Sequence, residues 1–161
     1  MPLGMGIIGL MSVAPISQIP RRNPYRDPAA KPEWAQLTRL GGDRVAILFE
    51  DLRARISGID GLVEELHFYG EEAGWLPRYR VGDRVLLTVE ILPGNLTAAA
   101  ELEVSLAKKI LNSPTRTSRI KTWLRPFAIR EGIALLRVRL SSRAHTCSLA
   151  RLILQIQKGR V

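Results

Sequence analysis

Residues 68–103 read FYGEEAGWLPRYRVGDRVLLTVEILPGNLTAAAELE. Side chains along a strand point to alternate faces, so this stretch can be read for phase. Over 75–80, Trp75, Pro77 and Tyr79 share one face, and Leu76, Arg78 and Arg80 share the other. Over 84–92, Val85, Leu87, Val89 and Ile91 point inward, while Arg84, Leu86, Thr88 and Glu90 point outward. Over 96–103, Leu96, Ala98, Ala100 and Leu102 alternate with Thr97, Ala99, Glu101 and Glu103. The links Val81-Gly82-Asp83 and Pro93-Gly94-Asn95 are tight turns. A parallel pair needs a long crossover, so these strands run antiparallel.

Outward from this stretch, 63–69 reads as another strand, with Leu66 and Phe68 opposed to Glu65, His67 and Tyr69. Trp34, Leu37 and Leu40 lie on one face of a short helix beginning at Pro32 and stopped by Gly41-Gly42. Asp43 caps a second helix, which runs to about Ile56 and carries Val45, Leu48, Phe49 and Leu52 on its apolar side. Helical patterns return over 104–112 and 115–124, separated by Pro114 and ended by Pro126. A fifth strand over 132–140 buries Leu136, Val138 and Leu140 and exposes Arg137 and Arg139. Ser141 or Ser142 caps a final helix with the core stripe Leu149, Leu152, Ile153 and Ile156. The expected fold is α+β: an antiparallel sheet of four or five strands with helices packed on one face. Residues 1–22 read as a poorly ordered extension, and 23–161 as a single domain.

The charge is uneven. The chain carries 24 Lys+Arg and 15 Asp+Glu, a formal net charge of +9. Residues 104–161 hold 13 bases and one acid, Glu131, or +12; residues 1–103 hold 11 bases and 14 acids, or −3. So basic a final third points to an acidic partner: nucleic acid, an anionic membrane or an acidic protein surface. Arg116, Arg119, Lys121 and Arg125 are placed to form a strip along one short helix, beside Lys108 and Lys109. Arg78, Arg80, Arg84, Arg137 and Arg139 collect on the outward sheet face with Glu65, Glu90, Glu101 and Glu103. Opposite charges on neighbouring strands pair, which favours a solvated, charge-paired face over a binding face. Sheets that bind single strands put aromatic rings on their open face. Here only Tyr69 is placed there, while Phe68, Trp75 and Tyr79 point to the core.

The elements Tyr69-Gly70, Gly74-Trp75 and Arg78-Tyr79-Arg80 leading into an apolar strand resemble a family of small bacterial and archaeal proteins known as domain of unknown function 3788. The later TWLRPFAI, followed by a strand and a terminal helix, is similar too. The resemblance covers about residues 60–157 and implies no activity, because that family has none assigned. The alanine-rich fourth strand and the basic final third depart from its pattern. More distantly, the layout is similar to frataxin-like iron chaperones, which depend on clustered surface carboxylates. The nearest counterparts here are Glu101/Glu103 and Glu71/Glu72.

No catalytic or cofactor motif stands out. GMGIIG at 4–9 follows no strand, so its match to a dinucleotide-binding fingerprint has no supporting context. His145 and Cys147, two apart on a helix, face different ways. Cys147 is the only cysteine, which excludes an internal disulfide and suits a reducing, cytoplasmic setting. The apolar run near the N-terminus is too short to span a bilayer. The reading is a non-catalytic binding or interaction module with a basic C-terminal surface for an acidic partner, and with no cofactor. A second copy of the chain is a further candidate partner. The alternative is a small enzyme or metal-handling protein with a pocket between sheet and helices near Trp75, Tyr79 and Trp123.

Overall fold

The alternation becomes a sheet in the computed structural model, which describes residues 22–114, 118–124 and 128–158. The uncharged N-terminal stretch with its glycine motif, and both Arg116 and Arg125, lie outside the described residues. Helices α1 (Trp34–Leu40) and α2 (Asp43–Ile56) precede β1 (Leu62–Phe68), β2 (Trp75–Val81), β3 (Arg84–Leu92) and β4 (Asn95–Glu103). Then come α3 (Val104–Asn112), α4 (Ser118–Leu124), β5 (Ala128–Arg130), β6 (Ile133–Arg139) and α5 (Arg143–Lys158). The sheet order is β1-β2-β3-β4-β6-β5, and every neighbouring pair is antiparallel. The α+β architecture is the expected one, with five strands of seven to nine residues. The three-residue β5 adds a short sixth strand at one edge. Three residues are too few to carry a readable alternation.

Local chemistry sets the helix starts. Helix α1 starts at Trp34 rather than Pro32; Glu33 is its N-cap, and the Glu33 N–H donates to Gln36 Oε1 at 2.8 Å. Gly42, not Asp43, is the N-cap of α2; its φ of 85° is a conformation that glycine adopts without steric cost. Asp43 instead fills the first turn, where a carboxylate favours the positive end of the helix. At the α1–α2 junction a Cβ on Gly41 would lie 2.3 Å from Val45 Cγ1 and 2.9 Å from Ile91 Cγ2, so only glycine fits. At the start of α5, Ser142 Oγ accepts from the His145 N–H, as the sequence leads one to expect.

One sheet face packs against the helices. Leu87, Val89, Ala98, Ala100, Leu102, Ala134 and Leu136 meet Phe49, Leu52, Ile110, Leu149 and Ile153 in one continuous core. Burying each of the large aliphatic side chains contributes roughly 1.5–3 kcal/mol. The phase read for β4 and β6 holds: Leu136 and Val138 are buried, and Arg137 and Arg139 exposed. In β2, Tyr79 is 1% exposed, while the Arg78 and Arg80 side chains are 19% and 32% exposed on the other face. Phe68 and Trp75 are half-buried rather than wholly interior.

The phase fails at the start of β3. Tyr79 pairs with Leu87 but Arg80 pairs with Val85, which leaves Leu86 as the extra residue of a bulge. Two consecutive residues therefore turn inward, and Leu86 and Leu87 are both fully buried. Val85 moves to the face of Arg80. Arg84 moves to the helix side and reaches the Ile156 carbonyl at the end of α5. The expected sides of Arg84, Val85 and Leu86 are all reversed by this one bulge.

The lead-in is tied to the sheet. Asn23 is buried, and its Nδ2 donates to the carbonyls of Ala73 (3.1 Å) and Trp75 (2.7 Å). Its Oδ1 accepts from the Tyr25 N–H, and the Tyr25 carbonyl accepts from the Trp75 N–H at 2.9 Å. Asn23 thus clamps the β1–β2 turn from a distant part of the chain.

Candidate functional site

The open face of the sheet carries the arginines that the sequence singles out, and most of them are engaged. Glu65 Oε1 accepts from Arg78 Nε and from Arg80 Nε, each at 2.8 Å. These two guanidiniums hold the Glu65 carboxyl below its ordinary range, Arg80 most strongly. Arg137 pairs with Glu90 at 3.0 Å across two strands. Arg139 is exposed, and no ion pair engages it among the described residues. The Tyr69 hydroxyl bonds Thr88 Oγ1 at 3.1 Å, and its ring meets His67 edge-on. Between these groups lies a shallow depression of about 330 Å³, lined by Tyr69, Arg78, Val85, Thr88, Ala99 and Leu135 among others.

The helix layer on the other side holds Lys108, Lys109, Arg119, Lys121, Arg143, Arg151 and Lys158 of the basic C-terminal third. Of the strip expected along α4, Arg119 and Lys121 are described, and Arg116 and Arg125 lie outside the described residues. Arg119 turns onto α5, where its Nη1 donates to Ser148 Oγ (3.2 Å) and the Ala144 carbonyl (3.4 Å), and Lys121 is half-buried. Among the described residues of α3, α4 and α5 the exposed cations are Lys108 and Lys109 on α3 and Arg143, Arg151 and Lys158 on α5. On α5 the offsets of eight and seven residues between those three keep them within one face. No carboxylate occurs within α3, α4 or α5. The five were legible only in part: the charge asymmetry marks the region, but which side chains face water depends on how each helix docks.

Trp75, Tyr79 and Trp123 do not form one pocket. Trp75 sits near the sheet margin against Phe68, its Nε1 donating to the Asp27 carbonyl and Lys31 lying over its ring. Trp123 meets His145 on α5 edge-on, and α4 packs against β6. Strand β2 lies three strand spacings from β6, roughly 14 Å. A shared pocket would require adjacent strands, and the sheet order separates them.

Tyr79 instead lines a surface pocket of about 400 Å³ with Glu50, Arg53, Ser57, Leu62 and Glu64. Arg53 bonds Glu64 through Nε (2.8 Å) and Nη2, bonds Glu50 through Nη1, and stacks over Trp34 and Phe49. Burial pushes the Tyr79 phenol far above its ordinary range, and the Glu64 carboxylate adds to this. The Tyr79 hydroxyl lies near Glu64 without a hydrogen bond of good geometry. Burial raises Glu64, but the Arg53 guanidinium and the nearby Tyr79 hydroxyl together hold its carboxyl below the ordinary range. Sequence reading missed this group, because its members come from α2, β1 and β2. It is a closed ion-pair set, with its arginine committed to two carboxylates and its phenol held neutral.

Among the described residues no three His, Cys, Asp or Glu side chains are grouped to hold a metal ion. Cys147 is half-buried rather than in the core. No described helix is long and apolar enough to cross a membrane. No family model, curated protein or solved structure matches the chain.

Proposed function

We propose that this protein is a non-catalytic interaction module whose basic helix layer engages an acidic partner. The observation that carries the reading is the set of exposed Lys108, Lys109, Arg143, Arg151 and Lys158 on helices that contain no carboxylate. Helices α3, α4 and α5 bring no carboxylate of their own, and an acid meets their positive field at the α2 margin, where Asp51 lies near Arg143. Such a surface attracts polyanions, whereas the paired charges on the sheet face largely cancel. The exposed lysines and arginines suit phosphate contacts, so a nucleic acid would be held by its backbone without sequence preference.

The test is a titration of a mixed-sequence duplex, and in parallel a polyglutamate peptide, against the full chain at increasing salt. With four to five phosphates contacted, the log–log slope for the duplex is about −4. Lys108→Glu with Arg151→Glu weakens binding at least about tenfold at low salt. Binding to the peptide alone would identify an acidic protein surface as the partner. No binding to either probe at low salt overturns the proposal.

A further inference from the structure

We infer that the open sheet face is a two-fold interface between two copies of this chain. On a chain of net charge +9 this face is nearly balanced among the side chains described on β1–β4 and β6. By register it presents Arg78, Arg80, Arg137 and Arg139 alongside Glu65, Glu90, Glu101 and Glu103. A charge-balanced face lacks the self-repulsion that the basic helices α3 and α5 impose on a second copy.

The distribution is directional as well as balanced. In the β4–β6 pairing, Arg139 stands opposite Thr97 and Arg137 opposite Ala99; Leu135 stands opposite Glu101 and Ile133 opposite Glu103. One end of these strands is therefore basic and the other acidic, across six residues or roughly 20 Å. Glu101, Glu103 and Arg139 are outside every ion pair among the described residues. A two-fold axis lying between two such faces and running across the strands near Ala100 reverses the strand direction of the second copy. It sets Arg137 and Arg139 of each copy against Glu101 and Glu103 of the other. Packed sheets lie ~10 Å apart, a gap that an arginine and a glutamate span together. At the centre, Leu135 is 48% exposed and Tyr69 39% exposed, beside the depression over Ala99 and Thr88. These supply the apolar contact that charge pairing alone does not, in the self-complementary form a two-fold interface requires.

The experiment is sedimentation equilibrium on the full chain, with two charge-swapped variants. The wild type has twice the 18.0 kDa chain mass at about 50 µM, where a dimer of micromolar dissociation constant is mostly formed. Glu101→Arg with Glu103→Arg, and separately Arg137→Glu with Arg139→Glu, each raise the dissociation constant by about 100-fold or more. Mixing the two variants restores a dimer, because one copy then carries only bases at these four positions and the other only acids. A wild-type monomer overturns the inference, as does a dimer untouched by both swaps or variants that stay monomeric on mixing. If either swapped variant fails to fold by circular dichroism, Leu135→Lys replaces it; a Leu135→Lys dimer as tight as wild type also overturns the inference. Polyanion binding is measured on the wild type and on Lys108→Glu with Arg151→Glu, whose sites lie on α3 and α5 away from the sheet face, so the two proposals fail independently.

Discussion

Tyr79 shows how one residue serves the fold at some cost. Its ring fills the space under α2, while its hydroxyl is buried beside Glu64 without a well-formed hydrogen bond. An unsatisfied buried hydroxyl costs ~1–3 kcal/mol. Tyr79→Phe is accordingly expected to leave the unfolding free energy unchanged or to raise it by up to ~1 kcal/mol at neutral pH, read by urea denaturation. The variant also reports on ionisation. The folded-state phenol is raised above its unfolded value of about 10. The stability it contributes is complete below that value and is lost as pH rises beyond it. The alkaline fall in melting temperature should be shallower in Tyr79→Phe than in wild type. The aromatic-inward, arginine-outward phase around this residue was legible because a regular strand leaves only two assignments.

At the scale of elements, joints between segments decide what periodicity leaves open. The β2–β3 bulge reverses Arg84, Val85 and Leu86, and RVLLTV carries no local sign of it, since either phase buries a leucine. The Asn23 clamp is equally hidden, because its partners lie 50 and 52 residues away. Asn23→Ala removes both carbonyl contacts and the bond from the Tyr25 N–H. It is expected to cost ~1–3 kcal/mol and to make residues 22–33 the first site of limited proteolysis. A wild-type digestion pattern would show that the lead-in is held by something else, such as the Trp75 bonds to Tyr25 and Asp27.

Across the whole molecule, carboxylates join the layers. Asp51 binds Arg55 and accepts from Thr146, linking α2 to α5. Glu64 links β1 to α2 through Arg53, and Glu65 links β1 to β2 through Arg78 and Arg80. All three are held below their ordinary range: Asp51 by the hydrogen bonds from Arg55 and Thr146, Glu64 by Arg53 against the effect of burial, and Glu65 by Arg80 and Arg78. Depressed folded-state values contribute stability that is present above the unfolded carboxylate range near ~4 and is lost as pH falls through the folded values. The melting temperature should therefore drop below about pH 4, and less steeply in Glu65→Gln. Because these groups are partly exposed, added salt should weaken the effect. Equal acid slopes in wild type and variant would remove Glu65 from this account.

Periodicity and turn chemistry determined the elements and the antiparallel α+β architecture, because alternation, helical spacing and glycine or proline stops act over a few residues. Composition likewise placed the positive charge in the final third. Tertiary structure alone decided which cations face water, why Arg119 and Arg84 turn inward, and that Trp75, Tyr79 and Trp123 stand apart. It also decided that Glu50, Arg53, Glu64 and Tyr79 meet. Those outcomes depend on strand order, a single bulge and the docking of helices, which are set by packing between residues far apart in the chain.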